Sequence, residues 1–342
     1  MRKSKIILGF VFLFTAAGIF ISSCSKDSTN PASTTLTSAQ TIQVQNSDAQ
    51  DAVAEQTEQD VDSKLDELQN SNYAASNLKS ALTGLNDTVI ITVDHPDTTT
   101  FPKVVTLTYY NYIDSNANES IIKNGTISVT ISLANADHKR LITRAYTFTN
   151  FAVTTDSTTV ILNGTRTVSR TKDAIMATGW QYLRVAITDN ITASTKFSIV
   201  TTGSTDTLTF TRNVEKVRTA IAHFVNVNFK AGEPVYNAIH LHYRHMPSFD
   251  TLTYTGTVTG INEKGDTYTK TITAPLTISA YKGSLIIVSG TMTYVVGTAS
   301  FTITFKQDPA HPHFTLVTVT NNTTNTSKSF DRRFGRLFKR WW

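Results

Sequence analysis

From Thr88 onward, apolar and polar residues alternate with a period of two in one short segment after another. Such alternation is typical of half-buried β-strands, whose successive side chains point to opposite faces. Threonine, a β-branched residue that favours pleated and half-exposed surfaces, occurs 59 times in 342 residues. Many short strands at near-regular spacing indicate antiparallel meanders or a sandwich rather than βαβ units.

Turn signals that contain glycine separate many of the predicted strands. They are Asn124-Gly125, Asn163-Gly164, Lys264-Gly265-Asp266, Lys282-Gly283 and Val296-Gly297. The predicted strands are Val89–Val93, Val104–Tyr110, Thr126–Ser132, Arg144–Val153, Thr158–Leu162, Thr165–Arg170, Tyr182–Thr188, Lys196–Thr201, Thr207–Val214, Tyr254–Ile261, Tyr268–Thr273, Leu285–Val288, Thr291–Val296, Ser300–Lys306 and Phe314–Val319. We therefore predict a mainly β fold, an extended antiparallel sheet or sandwich assembly.

A weak internal repeat suggests that this β region consists of two related halves. Gly125–Val129 is followed 39 residues later by the similar Gly164–Val168, and Gly256–Thr259 is followed 34 residues later by Gly290–Thr293. We place the first half at residues 87–190 and the second half at residues 191–327.

Residues 47–86 have helical rather than strand periodicity and predict a short N-terminal helical segment. Val53, Val61, Leu65 and Leu68 fall on one helical face. The other side carries Asp48, Asp51, Glu55, Glu58, Asp60, Asp62, Asp66 and Glu67. The acidic run has two interpretations, a solvated helix face or a site for a metal ion or a partner.

Residues 1–23 have the order of a secretory signal peptide. Basic residues precede an apolar stretch that begins at Ile6, and Ile21-Ser22-Ser23 leads into Cys24, the single cysteine of the chain. That order resembles a lipobox, which implies lipid attachment at Cys24 and membrane anchoring. The alternative is an ordinary cleaved signal with a chance cysteine. Residues 24–46, rich in serine and threonine, would then form the lipid attachment site and a flexible tether.

Several β segments resemble a group of uncharacterised β-rich lipoproteins of Bacteroidetes. The segments are Asn124–Ser132, Arg144–Val153, Leu162–Arg170, Tyr254–Ala280 and Val288–Tyr294. The resemblance implies an extended antiparallel sheet assembly and a cell-envelope location, with the outer membrane as the expected anchor. It supplies no catalytic residue to transfer.

The excess of basic residues lies at the two ends of the chain. Three of the 31 basic residues fall in the leader, and residues 328–342 contain six basic residues against one acidic residue. Bulk charge therefore gives no support for nucleic-acid binding. In this basic aromatic tail, Phe330, Phe334, Leu337, Phe338 and Trp341 fit one face of a helix. We expect the tail to contact anionic lipid or an envelope partner; the alternatives are a frayed tail or a helix packed on the sheet.

Candidate chemistry is sparse. His240, His242 and His245 form the densest cluster of potential metal ligands, with Glu233 as a further ligand, and His311 and His313 form a second pair. The alternative, which we adopt, is a histidine cluster without an ion. Tyr109, Tyr110, Tyr112, Trp180 and Tyr182 fit either a sugar-stacking face or ordinary core packing, and we predict packing.

Signatures of nucleophilic, metalloprotease and P-loop enzymes are missing from the sequence. We therefore predict no catalytic, cofactor-binding or metal-binding residues. The expected function is a membrane-anchored cell-envelope lipoprotein with a non-enzymatic binding or assembly role. The alternative is a surface-exposed hydrolase or a metal-dependent enzyme.

Overall fold

A computed structural model describes residues 88–94, 100–114, 121–136, 139–154, 158–178, 182–201, 203, 206–225, 248–281 and 284–332. Its strands form a single antiparallel sheet in which each strand pairs with its neighbours in the chain. They are β1 (Thr88–Val93), β2 (Lys103–Asp114), β3 (Ile121–Ala136), β4 (Lys139–Thr154), β5 (Thr158–Thr178), β6 (Tyr182–Thr201), β7 (Thr207–Val225), β8 (Ser248–Ile261), β9 (Thr267–Tyr281), β10 (Ser284–Val296), β11 (Ala299–Gln307), β12 (Thr315–Asn321) and β13 (Thr326–Arg332). The prediction of a mainly β fold is confirmed, as one extended sheet.

The central strands are longer than the sequence predicted. β5, β6 and β7 contain 21, 20 and 19 residues, whereas most strands in globular proteins have about 3–10. The segments predicted as separate strands before and after Asn163-Gly164 are the two arms of β5. The two segments predicted between Tyr182 and Thr201 likewise belong to β6 alone.

The predicted turns at Asn124-Gly125 and Asn163-Gly164 are wrong, because both dipeptides lie inside strands at β-bulges. Opposite them, Asn111 and Asn150 both have a φ of 47°. The amide of Asn111 donates to Asn124 Oδ1 and that of Asn150 donates to Asn163 Oδ1, each at 2.8 Å. An Asn-Gly pair tolerates positive φ, which a bulge needs as much as a tight hairpin does.

The bulges keep one face of the sheet buried along both arms of a strand. In β2 the buried side chains reach Tyr109 and resume at Tyr112; in β4 they reach Phe148 and resume at Phe151. A strict period of two would place the second residue of each pair on the opposite face. The register shift at the bulge restores it to the buried face.

Two of the predicted turns are confirmed. Gly265, with φ 84°, lies in the β8–β9 turn, where the amides of Lys264 and Asp266 donate to Asn262 Oδ1. Gly297, with φ 54°, lies in the β10–β11 turn. Lys282-Gly283 lies outside the described residues.

The apolar core lies on the buried face in two clusters. The first contains buried side chains from β2 to β7, and the second contains buried side chains from β6 to β12, with Phe330 of β13 packed against it. The opposite face carries hydroxyl pairs between directly opposed residues, such as Thr143 with Ser169 and Thr320 with Ser327. β6 and β7 pair continuously between the clusters. The division into two related halves stays a prediction.

Strand β13 corrects the prediction for the basic tail. A helix was predicted to include Phe330, but Thr326–Arg332 pairs with β12 along its whole length, and Phe330 packs against the second core cluster. Pairing with β12 outweighs the local helical pattern. The tail after Arg332, the helical segment 47–86 and Cys24 lie outside the described residues. Within the described part of the chain, no helix has the length and apolar character needed to cross a membrane.

The bulge glycines provide a test of this packing. A Cβ atom at Gly164, where φ is 128°, would lie 2.2 Å from the carbonyl oxygen of Ser194, whereas one at Gly203, where φ is 82°, would meet nothing within 4 Å. We expect Gly203→Ala to cost about 1 kcal/mol through backbone strain alone. Gly164→Ala should cost about 1–3 kcal/mol more because β6 must move. Urea denaturation measures both losses; equal losses would contradict the close strand contact.

Candidate functional site

The buried face carries a large number of basic side chains among its apolar ones. They are Lys103, Lys123, Arg144, Arg166, Arg212, Arg218 and Lys270, each at most 7% exposed. Among residues whose burial is described, the buried carboxylates are Asp189 and Asp308. Charged residues are rarely buried, and those that are buried have partners that offset the cost of desolvation. This charged face is therefore the most distinctive feature of the sheet.

Cross-strand register places the basic and apolar side chains in shared rows. Directly opposed residues of antiparallel strands point to the same face. One row runs through Tyr146, Arg166, Ala193, Val214, Val258, Lys270 and Tyr294, from β4 to β10. The next row places Arg212 of β7 between Thr195 and Gly260. The core is consequently a mixed surface of rings, aliphatic side chains and cations.

Two of the cations in that first row lie over aromatic rings. The guanidinium carbon of Arg166 lies 5.3 Å from the centre of the Tyr146 ring, and Lys270 Nζ lies 5.4 Å from the centre of the Tyr294 ring. Both tyrosines are almost wholly buried. Attraction between a cation and a ring is stronger where water is excluded, so these cross-strand pairs offset part of the desolvation cost.

Asp189 of β6 lies between two arginines in another row. Arg170 donates from Nε to Asp189 Oδ1 at 2.7 Å, and Arg218 donates from Nε to Asp189 Oδ2 at 2.8 Å. Arg218 also contacts Oδ2 through a terminal nitrogen. Asp189 is 1% exposed. The three side chains belong to β5, β6 and β7, so the network ties the longest strands together.

Electrostatics favour the ionised form of Asp189. Burial by itself raises the pKa of this carboxyl, but the positive charges and hydrogen bonds of Arg170 and Arg218 outweigh burial. They hold the pKa of Asp189 far below its usual range. The carboxylate is therefore a fixed negative charge that orients two guanidinium groups.

Asp189→Asn tests the importance of this charge. The substitution preserves shape but leaves two arginines facing a neutral amide, and we expect a loss of about 3–5 kcal/mol in the free energy of unfolding. Glu215→Gln on the exposed face of β7 is the control, with an expected change within about 0.5 kcal/mol. Chemical denaturation at pH 7 measures both changes. Similar small effects in the two variants would contradict the structural role of the network.

The same network predicts the direction of the pH dependence. Because the folded pKa of Asp189 is depressed, its stabilisation is complete above the ordinary aspartate pKa of about 3.9 and is lost as the pH falls below that value. The stability gap between wild type and Asp189→Asn should therefore narrow between pH 4 and about pH 2.

A second group of ionisable side chains lies at the β11–β12 turn and on β13. Asp308, His311 and Asp331 present ligand atoms within 4.8 Å of one another. His311 Nδ1 donates to Asp308 Oδ2 at 2.8 Å and lies 3.8 Å from Asp331 Oδ2. Two carboxylates and an imidazole are a donor set that divalent metals accept. Of the predicted histidine pair, His311 belongs to this cluster and His313 does not.

Turn geometry accounts for much of that arrangement. Asp308 Oδ1 accepts the amide of Ala310 at 2.8 Å, and the His311 carbonyl accepts the amide of Phe314 at 2.8 Å. Burial raises the pKa of Asp308, but the hydrogen bonds from Ala310 and His311 lower it below the usual value overall. Asp308 is thus an anionic turn-former that also fixes the His311 ring.

An open polar depression of about 380 Å³ lies where the Gly164 bulge meets β6 and β7. Its lining residues are Asn163, Gly164, Ser194, Thr195, Lys196, Thr211 and Asn213. Ligand sites in proteins are usually concave and mostly apolar, with a few polar groups that fix orientation. The polar lining of this depression is typical of a surface contact rather than of an enclosed active site.

The structure separates the remaining predicted site residues. Tyr109 and Tyr112 are buried, with their ring centres 5.9 Å apart, which confirms core packing for these two rings; Tyr110 is 53% exposed. His240, His242 and His245 lie outside the described residues, as does Trp180. Sequence analysis missed the buried cations, although each continues the alternation of its apolar neighbours, as Arg212 does between Phe210 and Val214.

Comparison with protein-family models, curated proteins and solved structures finds no match to this chain.

Proposed function

We propose that this protein is a membrane-anchored cell-envelope lipoprotein with a non-enzymatic binding or assembly role. The observation that carries the proposal is the order of the leader, which ends in Ile21-Ser22-Ser23 followed by the single cysteine, Cys24. A lipid on Cys24 would hold the chain at the outer membrane, and the serine- and threonine-rich residues up to 46 would separate the membrane from the folded part.

The sheet supports a binding or assembly role in two ways. Its outer face presents hydroxyl pairs, and its exposed depression near Gly164 offers amide, hydroxyl and ammonium groups for polar contacts. Its core charges form structural pairs such as Asp189 with Arg170 and Arg218. The basic residues after Arg332 are a proposed second contact with anionic lipid or an envelope partner.

Cys24→Ala tests the anchor. The variant lacks the thiol that would carry the lipid, and we expect it to move from the membrane fraction to the soluble fraction, because no acyl chain remains to hold it. Ser28→Ala, a nearby substitution outside the lipobox-like run, should stay with the membrane. Fractionation and intact-mass measurement give the result. An unmodified mature chain that begins at another residue would refute lipid anchoring.

A metal-dependent enzyme is the second candidate, favoured by the Asp308–His311–Asp331 cluster. If the cluster holds a divalent ion, His311 supplies its nitrogen ligand and the two aspartates supply oxygen ligands. An exposed His311 would leave room for water or substrate on the ion.

Zinc titration calorimetry tests this second candidate. Loss of the nitrogen ligand in His311→Ala should weaken zinc binding by at least about tenfold, whereas His313→Ala, two residues along the same turn, should bind zinc like the wild type. Equal binding by wild type and His311→Ala, or no binding by either, would exclude a zinc site in this cluster.

A further inference from the structure

The sheet has two open edges, and they differ in charge. In the part of the chain that the structure describes, β1 pairs with β2 alone and β13 pairs with β12 alone. An unpaired strand edge is a template for pairing with another chain, and charged side chains or proline usually block it. β13 carries Lys328, Asp331 and Arg332, whereas Thr88–Val93 contains neither a charged residue nor proline nor glycine. The edge of β1 therefore lacks the usual protection.

Both faces of the sheet are apolar beside this edge. Val89, Ile91 and Val93 are half-buried and pack against the first core cluster. On the opposite face, Ile90 is 46% exposed, and Tyr110, its diagonal neighbour on β2, is 53% exposed. Exposed apolar side chains that lie together beside an unpaired edge indicate an association surface.

The strand ladder identifies the backbone groups of β1 that point away from β2. Residue pairs of an antiparallel ladder alternate between pairs that exchange hydrogen bonds and pairs that do not. The amide of Asp94 donates to the carbonyl of Val104 at 3.2 Å, so every second residue before Asp94 bonds to β2. The N–H and C=O groups of the residues between them, Val89, Ile91 and Val93, consequently point to the open edge.

We propose that β1 of one copy of the protein pairs antiparallel with β1 of a second copy, with Ile91 directly opposite Ile91 at a two-fold axis. In this register Val89 of each copy lies opposite Val93 of the other, and all of the outward backbone groups form hydrogen bonds. The same residues meet on the face of the first core cluster. Cross-strand pairs of β-branched residues on one face stabilise a sheet.

The register favours a closed pair over an open chain of copies. Pairing of β1 with β13 of another copy would leave one free edge of each kind, so copies would add without end. It would also place the charged edge of β13 beside an apolar strand. A β1–β1 pair closes because the same edge serves both copies. The inference goes beyond the proposed function, since it depends on this edge and not on a lipid at Cys24.

The contact is small for a protein interface. The six residues of β1 span about 20 Å, and a strip of that length about 10 Å thick covers about 200 Å² on each copy. Stable interfaces bury about 1,200–2,000 Å² in total. We therefore expect reversible pairing that depends on concentration, and a cross-link that traps the pair is the suitable measurement.

Two cysteine variants of the full-length chain test the register. In the proposed pair, Ile90 lies directly opposite Thr92 of the second copy, with Cα atoms about 4.5 Å apart. The two copies of Ile90 lie on a diagonal, about 7–8 Å apart, which is beyond the usual disulfide range of about 4.4–6.8 Å. A mixture of Ile90→Cys and Thr92→Cys copies that carry different tags should therefore form a disulfide-linked dimer containing both tags.

Each cysteine variant alone is the matched control. Ile90 and Thr92 are both exposed, so random collisions would link like copies as readily as unlike ones. The register predicts at least about fivefold more mixed dimer than like dimer. Wild type, whose one cysteine is Cys24, gives the background. Equal yields of mixed and like dimers would overturn the proposal, and so would the absence of any dimer, which would assign the edge to another occupant.

Proline at position 91 tests the backbone pairing with the same measurement. The N–H of Ile91 points away from β2, so Ile91→Pro removes the hydrogen bonds at the two-fold axis and none from the β1–β2 ladder. Added to both cysteine variants, it should lower the yield of mixed dimer at least about tenfold, with the sheet intact by circular dichroism. Ile91→Val keeps the N–H and the branched side chain and should leave the yield within about twofold. Equal yields with proline and valine would overturn the proposal.

Discussion

The buried face of the sheet continues along both arms of β2 and β4 only because a bulge in each strand corrects the phase of its side chains. The asparagines at 111 and 150 take up positive φ, and the Asn-Gly pair on the next strand accepts their amides. Each bulge shifts the phase so that both arms of a strand present their large side chains to the same core. The long central strands keep the same face buried by unbroken alternation, so the rows that they share with β4 on both sides of its bulge depend on this correction.

Buried charge then adds specificity to an otherwise repetitive sheet. Alternating threonine and aliphatic residues would tolerate several registers, because one slipped pairing resembles another. Asp189 removes that ambiguity, since its two oxygens meet Arg170 on one side and Arg218 on the other. A slip of a single residue on either neighbour would turn an arginine to the outer face and leave the carboxylate buried with one partner. A buried ionic group that fixes register is one of the better-supported uses of such groups.

The sequence predicted the class of the fold because its alternation is strong and local. It failed where one local pattern serves two purposes. Asn-Gly at 124–125 and 163–164 fits a hairpin and a bulge equally well, and the neighbouring strand decides between them. Thr326–Arg332 has one large apolar residue, Phe330, so only its pairing with β12 identifies it as a strand.

The charged face was predictable in part from the same alternation. Arg144, Arg166 and Lys270 each occupy the phase of the apolar residues two positions away, which on a half-buried strand places them on the core side. Residue type alone predicts instead that these positions face solvent, since basic residues are seldom buried. What the local pattern cannot supply is the partner: Asp189 meets Arg218 across 29 residues of chain, and only the strand order brings them together.

The described sheet therefore contains regions that differ in how readily they tolerate substitution. The central strands bury charged side chains, so substitutions there change the stability of the sheet first. The outer face satisfies many of its own hydroxyl groups across neighbouring strands, as Thr318 does with Ser329. Side chains with more chemical variety gather at the β13 edge, where Asp331 approaches the His311 ring held by Asp308. Turns and edges tolerate change better than paired central strands, so the β13 edge, at the opposite side of the sheet from β1, has more freedom to vary than β5, β6 and β7.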